Sequence, residues 1–212
     1  MPFRLPRDAR LVRFAASDGV GLEGRLRESA RDRAVVLCHP HPLYGGSMLT
    51  PVILTVEQAF QEAGWTTLAF NFRGVGGSQG VHGQGEAEVA DVAGALGVVT
   101  GSAGGAPRAL AVAGYSFGSV VGGRVAASDP RVTLFLGVAP PLRLHDFAFL
   151  RAARCRVALI AGRRDEYAET GTLEALAASL PTPPWVRLLD ADHFFTGALE
   201  ALADACRAVA AG

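Results

Sequence analysis

The sequence contains no lysine: all 20 of its basic residues are arginine, and 20 acidic residues balance them. The arginines are scattered along the chain, apart from a mild excess in its first 33 residues. A nucleic-acid-binding surface needs a concentrated basic face, so a neutral chain with scattered arginines argues against a nucleic-acid partner. The function must therefore be sought in particular residues and not in the overall charge.

Cysteines and long apolar runs are also scarce. The three cysteines, Cys38, Cys155 and Cys206, show no C-x-x-C spacing, and such an odd, sparse set is typical of reduced thiols inside the cell. No apolar stretch approaches the ~20 residues that span a bilayer. Residues 1–8 have no apolar core of signal-peptide length. We therefore expect a cytoplasmic protein without a membrane partner.

The chain does contain a regular alternation of strand-like and helix-like segments. With 212 residues, half of them hydrophobic, it fits one domain covering residues 1–212. The alternation predicts an α/β fold, a mostly parallel twisted sheet with helices on both faces, and an N-terminal hairpin should add an antiparallel edge. The predicted strands cover 10–16, 20–28, 34–38, 66–72, 109–113, 132–138, 156–161 and 185–189, and the predicted helices cover 48–62, 86–99, 119–127, 173–180 and 195–210.

The run Gly114-Tyr115-Ser116-Phe117-Gly118 reads G-x-S-x-G and lies between a predicted strand and a predicted helix. In that context Ser116 would occupy a nucleophile elbow, a strained turn that exposes the hydroxyl and directs the first amides of the next helix toward the reacting carbonyl. The alternative is a glycine-rich turn with an incidental serine, since the chain has 26 glycines. The pentapeptide alone does not decide between them.

Suitable partners for the serine follow two later strands. Ligands of open α/β sheets bind at the carboxyl ends of the strands, and Asp165 and His193 come directly after the last two predicted strands. A serine nucleophile needs a base within hydrogen-bond reach, and the base needs an acceptor that orients it. The order Ser116, Asp165, His193 therefore predicts a catalytic triad.

Each triad member has alternatives. Asp165 could be a loop carboxylate paired with Arg163 or Arg164, and His193 could cap a helix. Asp192 adjoins His193 in sequence, so its side chain should point elsewhere. The remaining candidates are Glu166 and Asp146 for the acid, and His82 and His145 for the base.

The third predicted strand leads into His39-Pro40-His41-Pro42. Proline has no N–H, so the His41 amide is the donor between Pro40 and Pro42. The loop resembles the one that lends an amide to the oxyanion hole in α/β-hydrolases, which implies His41 as one donor and the Phe117 amide as the second. His39 and His41 could instead bind zinc as an H-x-H pair, but a proline separates them and no third ligand stands out. We expect no metal and no cofactor.

Together these motifs resemble those of the α/β-hydrolase superfamily, close to its dienelactone-hydrolase-like and lidless esterase branches, and the resemblance covers nearly the whole chain. The motifs are the loop at 39–42, the Asn71–Ser78 turn, the elbow at 114–118, the acid turn at 162–165 and the base turn at 192–195. Dienelactone hydrolases proper carry a cysteine at the elbow. Ser116 in its place favours an ester or thioester hydrolase.

Many members of the superfamily insert a helical cap after the sixth strand, but here only the segment 139–155 separates two strands. We therefore expect no cap domain and an open active site. The apolar residues of this segment could line a pocket wall or simply cover the sheet. The pocket-wall candidates are Tyr44, Tyr115, Leu142 and Phe194.

The resemblance implies a serine hydrolase that cleaves small or medium carboxylic esters or thioesters through an acyl-enzyme. One alternative is a peptidase or amidase with the same triad. The other is a non-catalytic binding protein of the same fold. The expected partner is a small-molecule ester or thioester, and these residues indicate no oligomeric state.

Overall fold

The structure is a computed structural model that describes residues 9–30, 32–101 and 107–212. In these residues eight strands form one sheet in the order β1-β2-β4-β3-β5-β6-β7-β8. The strands are β1 (Arg10–Ala15), β2 (Gly21–Arg27), β3 (Arg33–Cys38), β4 (Thr66–Phe70), β5 (Ala109–Tyr115), β6 (Leu134–Val138), β7 (Arg156–Gly162) and β8 (Trp185–Leu189). All eight predicted strands are present.

The strand directions confirm the predicted sheet. β2 pairs antiparallel with both β1 and β4, and the other neighbouring pairs are parallel. The inner strands β3 and β5 are buried along almost their whole length, as expected where helices cover both faces of a parallel sheet. The carboxyl ends of the parallel strands therefore meet at one edge, where the candidate residues lie.

Five α-helices in the described ranges cover the two faces of the sheet. They are α1 (Pro51–Glu62), α2 (Glu88–Gly101), α3 (Phe117–Ser128), α4 (Thr170–Ser179) and α5 (Leu199–Ala211). Successive residues of a strand point to opposite faces: Val35 belongs to the core beneath α1 and α5, and Val36 belongs to the core beneath α2, α3 and α4. Within the part of the chain that the structure describes, no helix has both the length and the apolarity needed to cross a membrane.

Most element boundaries shift by a few residues from the sequence predictions, and two of these differences have a clear local cause. The last helix begins at Leu199 and not at Phe195, because Phe195 has φ +54° and cannot continue a right-handed helix. β4 ends at Phe70 and not at Phe72, because the Phe72 N–H donates to the ring of His39 instead of a neighbouring strand. Both departures lie next to the candidate site.

The segment between β6 and β7 contains only a short 3₁₀ helix, Ala148–Ala152. Leu150 and Phe147 are buried and belong to the core on the α3 face. The connection thus covers the end of the sheet and builds no cap domain. The edge that carries the candidate residues is left open.

Candidate active site

Ser116 lies in a strained turn between β5 and α3. Its backbone has φ +53° and ψ −121°, a conformation that non-glycine residues rarely adopt and that the surrounding structure must hold. The Ser116 N–H donates to the carbonyl of Val138 at 2.9 Å. The turn therefore anchors the serine to β6 and places it at the N-terminus of α3, the positive end of the helix dipole.

The two glycines of the elbow are required by close backbone contacts. A Cβ at Gly114 would lie 2.2 Å from the Gly118 carbonyl oxygen, and a Cβ at Gly118 would lie 2.1 Å from the Cys38 carbonyl oxygen. No side chain fits at either distance, so the turn can close tightly and α3 can approach the end of β3. The glycine spacing reflects this geometry and not merely a glycine-rich composition.

The structure brings Ser116, His193 and Asp165 into one chain of contacts. The Ser116 Oγ lies 3.0 Å from the His193 Nε2, and the His193 Nδ1 lies 2.9 Å from the Asp165 Oδ2. Asp165 and His193 are 4% and 7% exposed, so water competes little for their contact. The Asp165 Oδ1 also accepts the N–H groups of Tyr167 at 2.8 Å and Ala168 at 3.1 Å. These contacts hold the carboxylate in one orientation toward the imidazole.

Backbone contacts also join the acid turn to the base turn. A Cβ at Gly162 would lie 2.3 Å from the Ala191 carbonyl oxygen, and the Arg164 N–H donates to the same carbonyl at 2.9 Å. The Tyr115 hydroxyl donates to the His193 carbonyl at 3.1 Å. Burial raises the pKa of Tyr115, which keeps this hydroxyl protonated as a donor. Sequence reasoning assigned Tyr115 to the pocket wall alone and missed this second contact.

The rival residues have other contacts. Glu166 is exposed, and the Asp192 Oδ1 accepts the N–H groups of Phe194 and Thr196. Asp146 accepts the N–H of Ala148, Arg164 pairs with Asp190, and His82 lies 3.0 Å from Glu88. Asp165 is thus the described carboxylate that contacts His193, and His193 is the described histidine that contacts Ser116.

The turn Asn71–Ser78 lies outside the site and holds the neighbouring segments of the chain in place. Arg73 forms a 2.6 Å ion pair with Asp91, which is completely buried. The Asn71 Oδ1 accepts the N–H of Met48 at 2.9 Å, which ties this turn to the segment that follows the His39–Pro42 loop. The motif therefore acts by fixing neighbouring loops.

His39 fastens the loop that follows β3. Its ring is completely buried, with Nε2 accepting the Phe72 N–H at 3.0 Å and Nδ1 lying 2.6 Å from the Pro40 carbonyl oxygen. The proton must therefore be on Nδ1, the nitrogen that faces an acceptor. Both ring nitrogens are engaged, which argues against the zinc interpretation of His39 and His41. No group of three or more potential metal-ligating side chains occurs in the described ranges.

The buried His39 makes stability depend on pH. Burial lowers its pKa to about 4 from the ordinary 6.5, so between these values the unfolded chain binds a proton that the native chain does not. The free energy of unfolding should therefore fall as the pH drops from 6.5 to 4, by about 3 kcal/mol from this residue. Urea unfolding at pH 7, 6 and 5 measures the slope.

His39→Gln is the control for this slope, because glutamine does not titrate. The variant should be less stable at pH 7 but should lose the part of the slope that belongs to His39. An unchanged slope would show that other groups cause the pH dependence. His41 and His145 also have lowered pKa values because of burial, but they are present in both proteins.

A cavity of about 530 Å³ opens above the serine. Three of the four predicted wall residues, Tyr44, Tyr115 and Phe194, line it together with Ser116. Leu142 does not line this cavity: it packs against the core and lines a second cavity of about 520 Å³, whereas Leu144 lines both cavities.

His41 and Phe117 line the same cavity, and their rings lie 4.9 Å apart. Sequence reasoning missed Tyr167 and His145, which also line the cavity. Tyr167 could have been found from its place two residues after Asp165. His145 carried no such signal, because a connecting segment has no periodicity that shows which side chains point inward.

A mostly parallel sheet with a strained serine after one strand, and a carboxylate and a histidine after two later strands, defines the α/β-hydrolase class. No model of a known protein family matches the chain. An uncharacterized protein of Rickettsia prowazekii is 31% identical over 185 residues, which cover 82% of this chain and 77% of that protein.

Two solved structures are similar over almost their whole length. A protein of unknown function from Agrobacterium tumefaciens, proposed to be an α/β-hydrolase, is 33% identical with a TM-score of 0.87 and 94% of each chain covered. A serine hydrolase without a lid from Xanthomonas campestris is 26% identical with a TM-score of 0.85, covering 96% of this chain and 94% of that one. This chain belongs to the α/β-hydrolase superfamily, among its small members without a lid.

Proposed function

We propose that this protein is a serine hydrolase that cleaves small or medium carboxylic esters or thioesters through an acyl-enzyme. The observation that carries the proposal is the continuous chain of contacts from Ser116 through His193 to Asp165. A serine hydroxyl is a weak nucleophile at neutral pH, and a base within hydrogen-bond reach activates it. The similarity to serine hydrolases supports hydrolysis as the reaction class.

In the proposed mechanism, Ser116 attacks the substrate carbonyl while His193 takes its proton at Nε2. Asp165 accepts the His193 Nδ1–H, which fixes the tautomer and stabilises the imidazolium that forms. His193 then protonates the leaving alcohol or thiol, and a water molecule cleaves the acyl-enzyme by the same route. These three side chains supply every proton transfer, so the mechanism calls for no cofactor.

The backbone N–H groups of Phe117 and His41 are the proposed donors to the oxyanion. Phe117 begins α3, so its amide has no partner within the helix, and His41 lies in the cavity wall between two prolines. Two such donors directed at the developing charge stabilise the transition state by about 3 kcal/mol each.

His41→Pro tests the loop amide. His41 has φ −56°, close to the value that proline imposes, so the substitution removes the N–H at a backbone angle proline can adopt. Relative to His41→Ala, which removes the ring but keeps the amide, His41→Pro should lower kcat about 10²- to 10³-fold. Steady-state kinetics of both variants measure the difference, and equal kcat values would exclude the His41 amide as a donor.

The open cavity supports a small or medium ester or thioester as substrate. Its volume of about 530 Å³ lies within the ~300–1,000 Å³ range of small-molecule sites, and no cap domain restricts the entrance. A peptidase would need a further binding surface for the peptide, whereas the described cavity has the size of a small-molecule site. A non-catalytic binding protein would not need Ser116, His193 and Asp165 aligned.

We also propose that residues 1–212 form one domain that works in the cytoplasm. The three cysteines are free thiols, as expected in a reducing compartment. Two of them, Cys38 and Cys206, are completely buried, and burial raises their pKa values, so they remain unreactive thiols.

A fluorophosphonate probe tests the proposed nucleophile. The wild type should be labelled and Ser116→Ala should not, and equal labelling of both would contradict the assignment. A panel of p-nitrophenyl esters, acyl-CoA thioesters and anilides with matched acyl groups then separates the reaction classes. Faster turnover of the anilides would favour the amidase alternative, and no labelling with no turnover would favour the binding protein.

A further inference from the structure

Three aromatic rings surround the imidazole of His193. The ring centroids of Tyr167, Phe194 and Tyr115 lie 4.8, 5.4 and 5.6 Å from that of His193. Tyr115 is only 3% exposed, and its hydroxyl is engaged by the His193 carbonyl. All three residues line the cavity, but Tyr167 is only partly buried and Phe194 is 64% exposed. Burial in the core therefore does not explain why residue 194 is aromatic.

Both rings are presented by backbone that is held in place. The Phe194 N–H donates to the Asp192 Oδ1 at 3.1 Å. The Tyr167 N–H donates to the Asp165 Oδ1 at 2.8 Å, and its carbonyl accepts the Arg143 N–H at 3.0 Å. The backbone at both positions is thus held in place, and the two rings lie beside the imidazole of His193.

The proposed reaction determines which part of a substrate meets these rings. The leaving atom must receive its proton from the His193 Nε2, within about 2.6–3.2 Å. The carbonyl oxygen must instead point to the amides of His41 and Phe117. The substituent on the leaving atom therefore lies beside His193, next to Tyr167 and Phe194.

We propose that Tyr167 and Phe194 form a leaving-group subsite for aryl and arylmethyl esters. The alcohol portion of these esters is a phenol or an arylmethyl alcohol, respectively. This inference rests on the proposed function and deepens it. Aromatic rings pair favourably at centroid distances of about 4.5–7 Å, the range in which both rings lie from His193. A flat aryl group beside the imidazole would contact both without displacing core residues. Phe194 and Tyr167 are specificity residues in this proposal, and the chemistry remains with Ser116, His193 and Asp165.

Phenyl acetate and ethyl acetate test the subsite, because both give the same acetyl-enzyme and differ only in the leaving group. The ratio of their kcat/KM values reports the leaving-group contact, and dividing each variant's ratio by that of the wild type cancels intrinsic reactivity. Phe194→Ala should lower the ratio about threefold to tenfold. The deacylation rate, measured after the p-nitrophenyl acetate burst, should stay within about twofold of wild type, because the leaving group has departed by then.

Two further substitutions at Phe194 separate the effect of its aromatic ring from the effect of its apolar character. Phe194→Leu keeps an apolar side chain but removes the ring, so it should lower the ratio, whereas Phe194→Tyr should preserve it. Leu11→Ala is the matched control, because Leu11 is an exposed apolar residue on the edge strand β1, away from the cavity. Its ratio should equal that of the wild type.

The outcomes distinguish the subsite from the proposed function. If the wild type hydrolyses both esters and Phe194→Ala leaves the ratio unchanged, the subsite is overturned and the serine hydrolase stands. If Phe194→Ala slows deacylation, the rings contact the acyl group and the assignment to the leaving group is wrong. If the wild type hydrolyses neither ester and the fluorophosphonate does not label Ser116, the proposed function fails and the subsite fails with it.

Discussion

His193→Ala should lower kcat by about six orders of magnitude, as the loss of a triad base does in other serine hydrolases. The His193 Nε2 lies 3.0 Å from the Ser116 Oγ. Without the imidazole, no other described side chain in contact with the hydroxyl can accept its proton. His145, which lines the same cavity, has a pKa lowered by burial and does not contact Ser116, so it should not substitute. Single-turnover hydrolysis of p-nitrophenyl acetate at high enzyme concentration measures the residual rate.

Ser116→Ala and the double variant Ser116→Ala/His193→Ala are the controls for this loss. Residues that act as one unit are strongly non-additive, so both variants should be about as slow as His193→Ala. A double variant slower by the product of the two single effects would mean that the two residues act independently. His145→Ala with near-normal kcat would confirm that the second histidine of the cavity is not the base.

Asp165→Asn should lower kcat by up to about 10⁴-fold with little change in KM. The amide can donate to the His193 Nδ1, which would place the imidazole proton on Nε2, where Ser116 needs an acceptor. Tyr167 and Ala168 should still donate to the side-chain oxygen, so the loop should keep its conformation. The loss would then come from the tautomer of His193. Circular dichroism and steady-state kinetics separate the two effects.

Glu166→Gln is the matched control, because it makes the same chemical change one residue later. Glu166 is exposed and should keep nearly the full kcat when neutralised. If Glu166→Gln caused the large loss and Asp165→Asn did not, the acid would be Glu166 and the described orientation of the loop would be incorrect. The two variants together therefore test which of the adjacent residues, Asp165 or Glu166, is the acid of the triad.

The fold and the triad candidates could be predicted because they depend on local patterns. The alternation of apolar strands and helices predicted the parallel sheet, which the structure confirms. A topological rule then brought three residues together, because the carboxyl ends of parallel strands meet at one edge. The resemblance of residues 162–165 to the acid turn of α/β-hydrolases favours Asp165 over Glu166, and the structure adds that the Asp165 side chain contacts His193.

What the sequence did not reveal depends on contacts between distant residues. The late start of α5 at Leu199 follows from the left-handed backbone of Phe195, which the helical pattern of the segment conceals. The packing of Leu142 against the core, with Leu144 exposed at the cavity, depends on the Pro140–Pro141 turn. The role of His39 depends on the Phe72 amide and the role of Tyr115 depends on the His193 carbonyl, and no local spacing encodes such pairs.

The hydrogen bond from Tyr115 to the His193 carbonyl has a mechanical consequence. Tyr115 directly precedes the nucleophile, so this bond joins the backbone around Ser116 to the backbone of a residue 77 positions away. We expect a thermal displacement of one turn to be passed to the other through this bond. The gap between the hydroxyl and the imidazole should therefore fluctuate less than the position of either group, although no cap domain clamps the site from above.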